Sequence, residues 1–119
     1  MFKAGDIRSR GNYRDRTLRY VLERRLVPGL EAAGSGNHRD YSPKQAFLVA
    51  LACELQEEGA GADIIADLVA RVAGGKLWLQ RQGDPLIFTY GCAVKIEVCP
   101  HAIRTKLGID EHGHSLAAS

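Results

Sequence analysis

The sequence predicts an α+β protein, a mainly helical first part followed by a small antiparallel β-meander. Two observations carry that expectation. Up to Gly75 the apolar residues recur at helical spacing, in segments separated by breaks that carry glycine, proline or asparagine. Beyond Gly75 the period changes to two, in Leu77-Trp78-Leu79-Gln80, Leu86-Ile87-Phe88-Thr89-Tyr90 and Ala93-Val94-Lys95-Ile96-Glu97-Val98. A chain of 119 residues, 45% hydrophobic and 25% charged, has room for one ordinary globular domain.

Phe2 to Gly11 reads as a short helix with Ala4 and Ile7 facing inward. Asn12 interrupts it, since asparagine tolerates a left-handed turn conformation. A second helix from Asp15 to Arg25 buries Leu18, Val21 and Leu22. Asp15 suits the dipole of its first turn, and Pro28-Gly29 end it. Gly34-Ser35-Gly36-Asn37 is the strongest turn signal and reads as a hairpin tip.

Ser42-Pro43-Lys44-Gln45 is a helix start: Ser42 caps, Pro43 takes the first helical position, and Gln45 reaches back in a capping box. The helix that follows, about 43–58, carries Phe47, Leu48, Leu51 and Leu55 on one face, and Gly59-Ala60-Gly61 stops it. A fourth helix, about 62–73, uses Ile64, Ile65, Leu68 and Val72 and is closed by Gly74-Gly75. Gly83-Asp84-Pro85 and Gly91 separate the three expected strands. His101 to Leu107 suggests a last helical turn, and Glu111 to Ser119 a frayed end. The expected division is 1–74 a helical binding head, 75–110 a β-rich region that serves dimerisation or an effector, and 111–119 a flexible tail.

The net charge of +2 hides an asymmetry. Residues 1–44 hold ten Lys/Arg against five Asp/Glu, whereas residues 45–119 hold six against nine. A basic half that meets phosphates accounts for the split. No apolar run approaches the roughly 18–20 residues that cross a bilayer, and the start lacks a secretory h-region. A cytoplasmic location with no membrane partner is expected.

Cys53, Cys92 and Cys99 are odd in number and widely spaced, so they read as free thiols, with Cys53 in the core. Cys92, Cys99 and His101, with His112 and His114 nearby, are the residue types that suit zinc or copper(I). Without a tight Cys-x₂₋₄-Cys pair, no metal site is expected from them. The chain has no phosphate loop, no Gly-x-Ser-x-Gly and no His-Glu-x-x-His. Neither an enzyme nor a cofactor is expected.

Helix, tight turn, helix, hairpin, helix, helix is the order of a winged helix-turn-helix. Thr17-Leu18-Arg19-Tyr20, Leu26-Val27-Pro28, Arg39 and Tyr41 before Ser42, and Phe2, Gly5, Asp6 and Ile7 recur in one register. By these residues the segment from Phe2 to about Ala73 resembles the DNA-binding domain of the mercury-resistance-type (MerR) transcription regulators. The resemblance implies a recognition helix presenting Arg14, Arg16, Thr17, Arg19 and Tyr20 to the major groove. It implies a wing presenting Asn37, His38, Arg39 and Tyr41 to the backbone or minor groove. Tyr13 falls where the family buries an apolar residue. Arg8, Asn12 and Arg25 depart from the pattern, replacing a small residue and two glycines. The long coiled-coil helix that usually follows is replaced by the β-rich segment.

The resemblance implies a sequence-specific transcriptional regulator that binds double-stranded DNA as a homodimer on a pseudo-palindromic site, with RNA polymerase a further partner. Two other readings compete. One is an architectural or excisionase-like DNA-binding protein without an effector. The other is a protein–protein interaction module whose interface is Trp78, Phe88 and Tyr90.

Overall fold

The computed structural model describes residues 2–30 and 40–116. Helices α1 (Ala4–Gly11), α2 (Asp15–Glu23), α3 (Pro43–Glu57) and α4 (Ala62–Ala73) come first. A 3₁₀ turn (Leu77–Leu79), strands β1 (Leu86–Tyr90) and β2 (Val94–Val98), and helix α5 (Pro100–Leu107) follow. The fold is therefore α+β.

Helix α3 is the axle of the molecule. Every residue from Ala46 to Cys53 is buried, as is Leu55, so the helix is apolar all round instead of along the one expected face. A helix of that kind must be covered on every side. Helices α1, α2, α4 and α5 all pack against it or against one another. Its start is the one drawn from the sequence: Gln45 N–H donates to Ser42 Oγ at 3.1 Å, and Ser42 N–H to Gln45 Oε1 at 2.9 Å.

Phe2 is not part of α1. It lies in extended backbone and exchanges two hydrogen bonds with Tyr41, at 2.9 and 2.7 Å, in an isolated antiparallel bridge. That bridge joins the chain start to the residue preceding α3, and the Lys3–Asp40 ion pair closes the same spot. Asn12 takes the left-handed conformation at φ 58°, as its residue type suggests. Arg25 does so too, at φ 54°, two residues beyond the end of α2.

Two expectations are corrected. Leu77-Trp78-Leu79 is a 3₁₀ turn, so the meander has two strands where three were expected. The buried Arg104 guanidinium donates to Trp78 O at 2.9 Å and Gln80 O at 2.8 Å, which holds the carbonyls of that turn together. Residues 111–116, expected as a loose tail, are tied back by their backbone though mostly exposed: Ile109 bridges Ser115, Leu116 N–H donates to Gly108 O at 2.6 Å, and buried Gly113 lies against the Trp78 ring. Trp78 in turn packs on Phe47 of α3, ring centroids 5.8 Å apart. Buried residues before and after Gly75 form one hydrophobic cluster.

Candidate nucleic-acid interface

Helix α2 has two unlike sides. Thr17, Leu18 and Val21 are buried, and Arg16 and Arg19 stand in solvent on the opposite side. Arg14, one residue before the helix, is also exposed. Periodicity produces this division: residues three and four apart share a face, so 17, 18 and 21 alternate with 16, 19 and 23 around the axis.

The helix is fixed at its start by contacts that the sequence does not advertise. Arg14 N–H donates to Glu57 Oε2 at 2.9 Å, from the last turn of α3. The carboxylate thus satisfies a backbone donor at a helix N-terminus, where negative charge is favoured. One residue earlier, the Tyr13 hydroxyl donates to Glu54 Oε2 at 2.7 Å. The same oxygen receives Lys106 Nζ of α5 at 2.5 Å.

Tyr13 is only 4% exposed, which meets the expectation of a core position. Burial above all, then its hydrogen bond to Glu54, pushes its hydroxyl far above the ordinary tyrosine range. Next to it, burial first and then Glu57 and Glu54 push the Cys53 thiol up to about 12. Gly11 closes the turn between α1 and α2. A Cβ there would stand 2.0 Å from Tyr13 Cε2.

Helix α5 completes the brace. Arg10 of α1 donates to Leu107 O at 2.9 Å, capping the end of α5 while its guanidinium lies 5.1 Å from the Phe2 ring centroid. The start of α2 is therefore held by the end of α3, whose Glu54 is in turn paired with Lys106 of α5.

The side chains expected to touch DNA divide into four groups. Arg14, Arg16 and Arg19 are exposed; Arg19 pairs with Asp15 at 2.7 Å, with both side chains largely in solvent. An exposed i,i+4 pair of this kind is worth about 0.3–0.5 kcal/mol, too little to keep Arg19 from a phosphate. Tyr20 is half-buried, with the Arg24 guanidinium 4.8 Å from its ring centroid.

Thr17 and Tyr41 are corrected. At 5% and 1% exposure they belong to the core, and neither can reach a duplex from there. Asn37, His38 and Arg39, with the Gly34–Asn37 turn, lie outside the described residues.

Cys92 stands exposed in the turn between β1 and β2, and Cys99 exposed just before α5. His101 is half-buried, its ring beside Thr105 Oγ1 at 3.5 Å. Among the described residues no three of His, Cys, Asp and Glu come together in a way that would hold a metal ion. Trp78 and Phe88 are buried in the common core, which removes them from the interface once drawn through Trp78, Phe88 and Tyr90. No helix of the described residues is long and apolar enough to cross a membrane.

Glu54, Glu57 and Lys106 are the residues that sequence reasoning missed. One signal was available for the first two. Acidic side chains in the last turn of a helix oppose its dipole, and α3 ends on Glu54 and Glu57 with no basic residue there. Carboxylates so placed are stabilised by donors elsewhere, here the Tyr13 hydroxyl and the Arg14 amide.

Compared with protein-family models, curated proteins and solved structures, the chain matches none of the three.

Proposed function

We propose that this chain is a sequence-specific DNA-binding transcriptional regulator of MerR-like, winged helix-turn-helix type, acting as a homodimer on a pseudo-palindromic site. The observation that carries the reading is the solvent-facing pair Arg16 and Arg19 on α2, with Arg14 exposed just before the helix. The opposite side of that helix is locked into the core, and its start is pinned by Glu57. A short helix held rigidly by one face and basic on the other suits insertion into a major groove, where arginine pairs bidentately with guanine or neutralises phosphate.

The electrostatics support the same surface. Ten of the 16 Lys/Arg fall in the first 44 residues. Arg8, Arg24 and Arg25 are exposed on or just after the two helices that would face the duplex. Dimerisation places two such helices one helical turn apart on DNA. Transcriptional control follows when occupancy of that site is read by RNA polymerase.

The test is selection of bound duplexes from a random pool, followed by a salt titration on the winner and on a scrambled duplex. The regulator reading expects an enriched motif with inverted half-sites and at least about a thousandfold preference over the scramble. Steep salt dependence without any enriched motif would transfer the chain to the architectural class. No binding at low salt would end the DNA reading.

A further inference from the structure

The two-stranded sheet has two outer edges, and they differ in the information they carry. β1 reads Leu-Ile-Phe-Thr-Tyr, without a charge. Its Tyr90 end is tied to α4, the hydroxyl donating to Asp67 at 3.0 Å and the Arg71 guanidinium lying 5.6 Å from the ring centroid. β2 reads Val94-Lys95-Ile96-Glu97-Val98.

Within the hairpin Lys95 is paired with Thr89 and Glu97 with Ile87, so neither charge faces an opposite one. Among the described residues neither makes an ion pair.

We propose that β2 is a dimerisation edge, pairing antiparallel with β2 of a second copy about a twofold axis through Ile96. In that register Lys95 stands opposite Glu97 of the second copy, and Glu97 opposite its Lys95. Val94 then meets Val98 twice. Moving the axis to residue 95 sets lysine against lysine, and moving it to residue 97 sets glutamate against glutamate. A shift that leaves the axis between residues puts core-side against solvent-side positions. The strand is self-complementary in one register.

Local geometry favours this occupant. Ile96, Glu97, Val98 and Cys99 together form one wall of a groove of about 390 Å³ between β2, α3 and α5. Side chains of a strand alternate between its faces, so four consecutive residues line a space when the edge itself borders it. Leu55, Ala102 and Ile103 contribute apolar surface to the same groove. Val94 is 52% exposed although it follows the core-side alternation of Ile96 and Val98, so that side of β2 is only partly covered. An isolated two-stranded hairpin is marginal and an open edge invites pairing. A second copy converts two hairpins into one four-stranded sheet.

This inference deepens the dimeric part of the proposed function and rests on that part alone. Its test is sedimentation equilibrium of the full chain without DNA, for the wild type, Lys95→Glu, Glu97→Lys and the double reversal, with circular dichroism checking that each is folded. The wild type is expected to dimerise, each single reversal to weaken the dimer about tenfold or more, and the double reversal to restore it. Mixing the two single variants should give a heterodimer, because their charges complement each other. A monomeric wild type at several hundred micromolar (roughly the weakest affinity a small interface gives) would overturn the proposal. So would a dimer indifferent to both reversals. A monomer that still binds DNA would sink this interface and leave the DNA reading standing; a β2 dimer that ignores DNA would do the opposite.

Discussion

The Tyr13 hydroxyl and Lys106 ammonium converge on a single carboxylate oxygen of Glu54, at 2.7 and 2.5 Å. Three elements far apart in sequence thus meet at one atom beside the start of α2. Tyr13→Phe removes the neutral donor and leaves the ion pair. A hydrogen bond to a charged acceptor contributes about 1.5–3 kcal/mol, and because Glu54 keeps Lys106 the loss should fall at the lower end. Urea denaturation at neutral pH reads this directly. A change indistinguishable from zero would mean that the contact adds nothing to stability.

Alkaline pH should weaken the fold in two stages. The Cys53 thiol is pushed up to about 12 from an ordinary value near 9, burial being the main cause. The unfolded chain therefore loses this proton before the folded one does. Stability is fully present below about pH 9 and declines above it at about 1.4 kcal/mol per pH unit. Tyr13, also raised by burial, adds a second decline from about pH 10. Cys53→Ala should flatten the profile between pH 9 and 10, and Tyr13→Phe should flatten it above pH 10. Denaturation midpoints measured from pH 7.5 to 10.5 distinguish the two contributions.

Gly11 is required for space. Its φ is not in the left-handed region, yet a methyl group there would fall 2.0 Å from the Tyr13 ring. Gly11→Ala must displace a buried, hydrogen-bonded tyrosine. The expected cost is about 1–3 kcal/mol, as for overpacked cores. Thermal melting checks it, and Gly5→Ala on the open side of the same helix, with nothing within 4 Å, is the matched control.

Arg25 sits at φ 54°, a conformation that costs a side-chain-bearing residue about 1–2 kcal/mol. Its backbone N–H donates to Leu22 O at 3.2 Å, a bond that glycine keeps. Arg25→Gly should therefore raise stability by up to about 1 kcal/mol while slightly weakening binding to any polyanion. Destabilisation would show that the arginine side chain holds the turn by contacts of its own.

These residues also show how far the sequence could be read. The capping box at Ser42 and Gln45 and the glycine limits of α4 depend on neighbours within one turn, and local chemistry sufficed. The left-handed Asn12 was legible for the same reason. Leu77-Trp78-Leu79 was misread because three apolar residues cannot distinguish a strand from a 3₁₀ turn. In the fold the carbonyls of that turn are held by Arg104, 26 residues away from Trp78.

Tyr41 was assigned outward because its bridge to Phe2 spans the whole first part of the chain. Periodicity placed Leu18 and Val21 of α2 in the core correctly, Leu22 is only half-buried, and Thr17, which the resemblance turned toward DNA, is buried. The carboxylates that pin α2 were invisible for want of the α3–α2 contact, though their position at the wrong end of a helix dipole was a clue.

The central claim is that the exposed arginines of α2 contact DNA, and fluorescence anisotropy tests it most directly. Binding of a labelled duplex should be measured for the wild type and for Arg16→Ala/Arg19→Ala between 50 and 200 mM salt, about the range over which phosphate contacts are lost. The account predicts weaker binding of the double variant and a log–log salt slope shallower by roughly 0.9 for each phosphate contact removed, with unchanged thermal stability. Equal affinity and equal slope for the two proteins would contradict it.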